Sequence, residues 1–501
     1  MARPTRPRRA GFRQSSRPAG RNGPGLDGVS YAFPMRPLAA IVKANDLRGP
    51  VPQAWGRDEA CAIGAALPQL LDGAKAIYLG RDCRLSGPGL AAALTDGLTS
   101  QGVDVIDLGM VSTDAVYYAS GAHSLPGVVL TASHNPPGEN GLKLMQPGAK
   151  PIGRDNGLSR LVELAEQNPT PPPAGQPGWV RQLDIWPAFA SYLRSVVDLA
   201  TIRPLKVVAD AGNGLGGIVT QAVLGQGAGL EPLPVELVPL FGEPDGRFPN
   251  HPANPIDPAN LVDLQRAVVA NGADLGLAFD GDADRCFVVD EAGQAVTASA
   301  IGTMIAVSLV AQEKAAGREA VIVHNAITSR ALPEMVEAAG GHLVRTPVGH
   351  ALIKPVMASQ DAVFGAEHSG HYYFRDFFYA DTGILTAMHV LALLGRSQEP
   401  MSQLAARFDP YAASGEINFK VADPAGAIER VLNHFATTIA SGEIAVDRLD
   451  GVTLDHWHGP EKWWANIRPS NTETILRLNV EAKKPEMMAQ LRVELSKLLE
   501  E

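Results

Sequence analysis

Cysteine is scarce in this 501-residue chain. Cys61, Cys83 and Cys286 are odd in number, far apart and without C-x-x-C spacing, which argues against a disulfide framework and a zinc site and fits a reducing cytoplasm. No apolar run approaches the roughly 20 residues that cross a bilayer, so a membrane-spanning helix is excluded. Positive charge is short as well. The net charge is −10, and residues 1–21 hold seven arginines with no Lys, Asp or Glu, so the rest of the chain is more acidic still. Such a body is a poor partner for nucleic acid. Large apolar side chains are few in residues 1–34, which read as a disordered basic leader. Its prolines (Pro4, Pro7, Pro18, Pro24) oppose the amphipathic helix of a transit peptide, leaving a floppy extension or an over-long start ahead of Met35.

What remains has the composition of an ordinary soluble globular protein, 45% hydrophobic and 19% charged, and its length exceeds what one core serves. Three times an apolar strand runs into a short polar or Gly-containing loop and then a helical pattern: Ala76–Leu79 into Gly80-Arg81-Asp82, Lys206–Ala209 into Asp210-Ala211-Gly212-Asn213-Gly214, and Ala320–Val323 into His324-Asn325-Ala326. These are βα units of mostly parallel sheets. The Pro-rich stretch from Asn168 to Gly178 reads as an extended linker with a boundary near residue 185. After about residue 412, alternating strands and terminal helices predict an α+β domain with one solvated sheet face. The expected domains are 35–185, 186–296, 297–412 and 413–501, following the leader at 1–34.

The chemistry concentrates in four segments. Thr131-Ala132-Ser133-His134-Asn135-Pro136 follows the apolar Gly127–Leu130, so a buried strand delivers the Ser133 hydroxyl to a sharp turn, where α/β proteins place chemistry. Asp280-Gly281-Asp282-Ala283-Asp284-Arg285 follows Leu275–Phe279. In an extended segment alternate side chains share a face, so three carboxylates converge and require a cation, Mg²⁺ or Ca²⁺ by the hardness of their oxygens. An EF-hand is the rival, but its sixth position demands Gly and Arg285 stands there. A phosphoserine beside a divalent metal is an activated phosphoryl donor, so the two motifs explain each other. Glu367-His368-Ser369-Gly370-His371 is suited to vicinal sugar hydroxyls, and Arg468-Pro469-Ser470-Asn471-Thr472 to an oxyanion.

From about Ile41 onward these residues, in this order, resemble the α-D-phosphohexomutase superfamily, in its phosphomannomutase/phosphoglucomutase branch. The resemblance implies three related α/β domains and a C-terminal α+β domain around a central cleft. It further implies a phosphoserine at Ser133 and Mg²⁺ held by Asp280, Asp282, Asp284 and the Ser133 phosphate. Glu367 and Ser369 would hold sugar hydroxyls, and Arg468, Ser470, Asn471 and Thr472 the distal phosphate. Arg48, Lys143, Arg285, His350 and His371 would stabilise charge or transfer protons. The implied activity interconverts mannose 6-phosphate and mannose 1-phosphate through a hexose 1,6-bisphosphate, which also serves as activator. Phosphoglucomutase or dual activity is the alternative. A monomer or weak dimer in the cytoplasm, with no nucleic-acid or membrane partner, is expected. Departures from the family pattern are Asn45, Ala326 and Ala366. Two rivals come from other classes: an aspartyl-phosphate phosphatase using Asp280 as nucleophile and Asp282 as acid/base, and a non-catalytic sugar-phosphate binder.

Overall fold

A computed structural model describes residues 35–71, 73–469 and 475–500; the basic leader lies outside them. Four sheets follow one another along the chain. In the first, the strands run Leu47–Pro50, Glu139–Gln146, Gly127–Leu130, Ala76–Arg81, Asp104–Met110, Val180–Gln182, with Lys150–Ile152 paired on the side. Alternation decides its two faces. Ile77, Leu79, Val105, Val128 and Leu130 pack on the helices Arg57–Leu70 and Gly87–Ser100, while Tyr78, Ile106 and Val129 point to a second core. That second core continues through Val207, Leu275 and Leu277 of the second sheet into Ile322, Phe364 and Phe374 of the third, so the three units share one apolar interior.

The βα pattern predicts mostly parallel sheets, and the parallel strands are those it identifies. Each of the three sheets also carries antiparallel strands at one side: Cys286–Asp290 returns antiparallel along Leu275–Phe279, and Tyr372–Phe374 along Phe364–Ala366. Each return strand begins directly after a candidate motif, at Cys286 and Tyr372, or three residues beyond it, at Glu139 after Pro136, so the motif forms the loop of a hairpin. The Pro-rich stretch is pinned to the C-terminal end of the helix Gly87–Ser100, where the Ala174 and Gly178 N–H groups donate to the carbonyls of Ser100 and Thr99.

The last sheet is antiparallel throughout, in the order Ala412–Phe419, Leu476–Ala482, Trp463–Pro469, Val452–Asp455, Ala445–Asp447. One face packs on the helices Pro424–His434 and Pro485–Glu500 through Ala465, Ile467, Leu478 and Leu495. The expected solvated face is not solvated. Asn466, Arg468, Asn479 and Glu481 are buried: the third unit reaches this face through the Arg330 N–H, which donates to Glu481, and through the Arg330 pair with Asp455, while Asn466 and Arg468 bond within their own unit. A polar strand face indicates a polar environment, and here protein supplies it. Among the described residues no helix is long and apolar enough to cross a membrane.

Candidate active site

Ser133 stands three residues beyond the end of the buried strand Gly127–Leu130 in a left-handed backbone conformation, φ +50°, that a non-glycine residue adopts at a cost. Its N–H donates to Thr131 Oγ1 at 2.9 Å, and its own Oγ donates to Asp280 Oδ2 at 2.6 Å. Asp280 comes from the second unit, and the approach depends on Gly281. A Cβ there would lie 2.4 Å from the Ser133 carbonyl oxygen.

The carboxylates converge, but not by extension. The segment is a turn, with Ala283 left-handed at φ +60° and its N–H donating to the Asp280 carbonyl at 3.0 Å; alternate positions share a face only in a strand, and here the turn itself gathers the side chains. The next two carbonyls are held from outside. Leu215 N–H of the second unit donates to Gly281 at 3.0 Å and Thr113 N–H of the first to Asp282 at 3.1 Å. The helix Gly383–Arg396 of the third unit begins against the same loop.

Ligand-competent oxygens of Asp280, Asp282 and Asp284 all lie within 4.8 Å of one another. The buried Oδ1 atoms of Asp282 and Asp284 have no hydrogen-bond partner, and such atoms are costly to leave unsatisfied. A hard divalent cation fits this donor set. Lys143, on the strand Glu139–Gln146, faces it with Nζ 2.7 Å from Asp282 Oδ2 and 2.5 Å from Asp284 Oδ2. Burial opposes its charge, but these two carboxylates raise the Lys143 pKa well above the usual lysine range. Burial likewise opposes ionisation of Asp282, yet Lys143 and Thr113 Oγ1 hold it well below the usual carboxylate range; burial and then the Asp282 charge push Asp284 up. Arg285 pairs with Asp280 at 2.8 Å and donates to His134 Nδ1 at 2.6 Å. Arg48 bonds Asp46 and donates to Asn135 Oδ1 at 2.8 Å.

From the third sheet, His371 places Nδ1 2.9 Å from Asp381 Oδ2 and 3.9 Å from Asp284 Oδ1. Asp381 in turn pairs with buried Lys354 at 2.6 Å. Although burial favours the neutral ring, Asp284 and Asp381 raise the His371 pKa. Glu367 accepts from Tyr373 Oη at 2.6 Å and Gly349 N–H at 3.0 Å, and half-buried Ser369 follows it on the same loop. From the last sheet, Arg468 is 2.9 Å from Glu416, which also faces Arg477 at 3.2 Å and His368 at 3.7 Å. Burial disfavours the Glu416 charge, but the contacts with His368, Arg477 and Arg468 hold its pKa at about 2. Ser470, Asn471, Thr472 and the side chain of His350 lie outside the described residues.

Of the sequence-derived candidates, Ser133, Lys143, Arg285, His371 and the three aspartates form one contiguous group, with Arg48 joined to it through Asn135. Glu367 and Arg468 stand on the neighbouring third and fourth sheets. At Ala326, Arg345 donates to the backbone carbonyl at 3.0 Å, bringing a guanidinium to a position whose own side chain has no charge. Sequence reasoning missed Arg84, Thr113, Lys354, Asp381 and Glu416. Arg84 and Asp381 carry the signal used elsewhere, a charged residue beside the end of a buried strand; the others are recognisable only from their partners.

Four family models cover most of the chain: phosphoglucomutase/phosphomannomutase alpha/beta/alpha domain I over residues 39–169, domain II over 187–293, domain III over 298–411 and the C-terminal domain over 416–498. A curated Escherichia coli phosphomannomutase is 40% identical over 444 residues, 88% of this chain and 94% of that protein. Proteins named phosphohexose mutases from Xanthomonas campestris include one 39% identical over 461 residues, 91% of this chain and 98% of its own length. The crystal structure of a phosphoglucomutase/phosphomannomutase family protein from Burkholderia thailandensis superposes with a TM-score of 0.77 at 29% identity, covering 92% of this chain and 97% of that one.

Proposed function

The chain belongs to the phosphoglucomutase/phosphomannomutase family and is a phosphohexomutase, and from that premise we propose that it acts as a phosphomannomutase whose phosphoryl carrier is Ser133. The observation that carries this reading is the 2.6 Å contact of Ser133 Oγ with Asp280, inside a buried group of three aspartates, Lys143 and Arg285.

In this mechanism phosphoserine 133 meets the free O1 or O6 hydroxyl of a mannose phosphate. The bond from phosphorus to Ser133 Oγ breaks as the bond to the sugar oxygen forms, and the hydroxyl proton leaves to a base. The resulting 1,6-bisphosphate reorients, and its other phosphoryl group returns to Ser133. Charge spreads over the equatorial phosphoryl oxygens in such a transfer; Lys143 and Arg285 face them, and Arg48 extends the positive rim. Lys143 is committed to two carboxylates, so it serves as a fixed cation. His371 turns Nδ1 to Asp381, which leaves Nε2 to take the proton. Glu367 and Ser369 hold sugar hydroxyls, while Arg468, Ser470, Asn471 and Thr472 hold the distal phosphate, with His350 beside them. Mg²⁺ would be held by Asp280, Asp282, Asp284 and the Ser133 phosphate, and when bound would supply positive charge that neutralises the departing serine oxygen. A hexose 1,6-bisphosphate acts as activator because it restores phosphoserine to enzyme that has lost it. The substrate class and the three unpaired cysteines support a cytoplasmic location, and a monomer or weak dimer is proposed.

Glucose phosphates are a second reading, favoured by the phosphohexose mutase name of the Xanthomonas relatives. One C2 hydroxyl separates the two sugars, and a pocket that does not engage it discriminates by only about 1–3 kcal/mol. The test is a coupled assay of kcat/KM on mannose, glucose and glucosamine 1-phosphates with a 1,6-bisphosphate present. Turnover highest on mannose 1-phosphate, with an acid-stable, hydroxylamine-resistant label on Ser133, is expected. Label on Asp280 instead would establish the phosphatase alternative, and absence of turnover on all three sugars would end the mutase reading.

A further inference from the structure

We infer that Arg84 is a positioning residue for phosphoryl transfer: its buried guanidinium clamps the backbone of the Ser133 loop and holds Ser133 in the left-handed conformation from which Oγ meets Asp280. This rests on Ser133 being the phosphoryl carrier.

Arg84 is fully buried, 0% exposed, three residues past the strand Ala76–Arg81. A guanidinium has five N–H donors in a rigid fork, and here all five are used. Nη1 donates to the carbonyls of Pro136 at 2.6 Å and Glu139 at 2.9 Å; Nη2 donates to those of Ser133 at 2.8 Å and Asn135 at 2.6 Å. Nε donates to Asp82 Oδ2 at 3.1 Å, and Asp82 Oδ1 accepts the Arg84 backbone N–H at 2.9 Å. Three carbonyls of the loop and that of Glu139, the first residue of the following strand, thus turn onto a single cation. Ser133 needs such support because its φ of +50° is sparsely populated for a residue with a side chain and persists only where the surroundings over-determine it.

The second unit closes the clamp. The Phe248 ring centroid lies 5.3 Å from Arg84 Cζ, and Gly246 lies so close that a Cβ there would be 2.7 Å from Arg84 Cα. Water is excluded from the guanidinium, and of the four carbonyls that of Pro136 also accepts the Glu139 N–H at 3.1 Å. Arg48 holds the same loop through the Asn135 side chain, whereas Arg84 reaches the Ser133 carbonyl itself. None of these contacts involves Glu367 or Arg468, which lie on the third and fourth sheets.

Arg84→Lys offers one ammonium in place of the fork, and Arg84→Met none. Both are compared with wild type in three measurements: the rate at which glucose 1,6-bisphosphate loads Ser133, read by intact mass; kcat and KM on mannose 1-phosphate; and hydrogen exchange of residues 131–141. In the lysine variant, loading and kcat are expected to fall at least ~100-fold, the size of loss that ångström-scale misplacement produces. KM stays within about threefold of wild type on the same reasoning, since the binding groups are elsewhere. Exchange rises in 131–141 and not in the other three sheets. A lysine variant within threefold of wild-type kcat, a KM that rises in proportion to the kcat loss, or unchanged exchange in 131–141 would each overturn the inference. If the methionine variant does not fold, the lysine variant decides. If wild type accepts no phosphoryl group, the functional reading fails, and exchange of 131–141 in the lysine variant alone decides the clamp.

Discussion

Ser133 combines an unfavourable backbone conformation with a hydroxyl that donates directly to a carboxylate of another unit, and a single substitution separates these two properties. Ser133→Ala keeps the loop but has no oxygen to carry a phosphoryl group, so turnover should fall by ~10⁴-fold or more, while calorimetric titration still detects hexose phosphate binding through Arg468 and Glu367. Gly281→Ala tests the approach of the two loops. Its Cβ would sit 2.4 Å from a backbone oxygen, so one loop must move; a kcat about 100-fold lower, with circular dichroism unchanged, is the expected outcome. Ser133 and the aspartates were legible in the sequence because their residue types have few other uses beside buried strands. Arg84 and Thr113 were not, since what they bind is main chain or a distant side chain, and no residue-type pattern encodes that.

At the scale of elements, the helix Ala298–Ala315 is anchored near its C-terminal end by Glu313, which accepts from Arg318 at 2.8 and 2.5 Å and from Arg375 at 2.8 Å. Those bonds, Arg318 foremost, hold the Glu313 pKa at about 2, below its ordinary 4.5. A carboxyl depressed in the folded state contributes stability above its unfolded pKa and loses it as pH falls through the folded one. Glu313→Gln should therefore lower the urea midpoint at pH 7, by about 1–3 kcal/mol equivalent. The gap from wild type should close between pH 4.5 and 2, and parallel midpoints across that range would contradict the assignment. Strands were placed from the apolar pattern to within a few residues: the predicted Gly127–Leu130 and Leu275–Phe279 are the observed strands. The geometry of the metal loop was not, because a left-handed Ala283 is imposed by neighbours and not by alanine's own preference.

For the whole molecule, the decisive feature is how the last sheet docks on the third unit. Ile327, Trp457 and Trp464 form a small core there with Val348 and Tyr411. The Trp457 Nε1–H donates to Glu334 at 2.7 Å, with Tyr411 edge-on at 4.8 Å. Removing such a side chain costs about 3–5 kcal/mol where it is fully packed. Trp457→Ala should thus give calorimetry a separate, earlier transition for the last unit. Because Arg468 belongs to that unit, KM for mannose 1-phosphate should rise about tenfold or more on the tenfold-per-1.4 kcal/mol scale, with phosphoserine loading unaffected only at saturating bisphosphate. A single unshifted transition would place the anchorage elsewhere.

The division between sequence and tertiary structure follows from the range of the forces involved. Alternation of apolar residues, the strand-to-loop switch and the choice of Ser, Asp and Arg at strand ends are local, so the chain alone determined its four-unit organisation and the motifs that bear the chemistry. Which carbonyls Arg84 binds, which carboxylates share Lys143, and why the polar face of the last sheet is buried depend on groups tens to hundreds of residues apart. Desolvation and hydrogen bonding between them exist only once the units have packed, and that packing alone decided them.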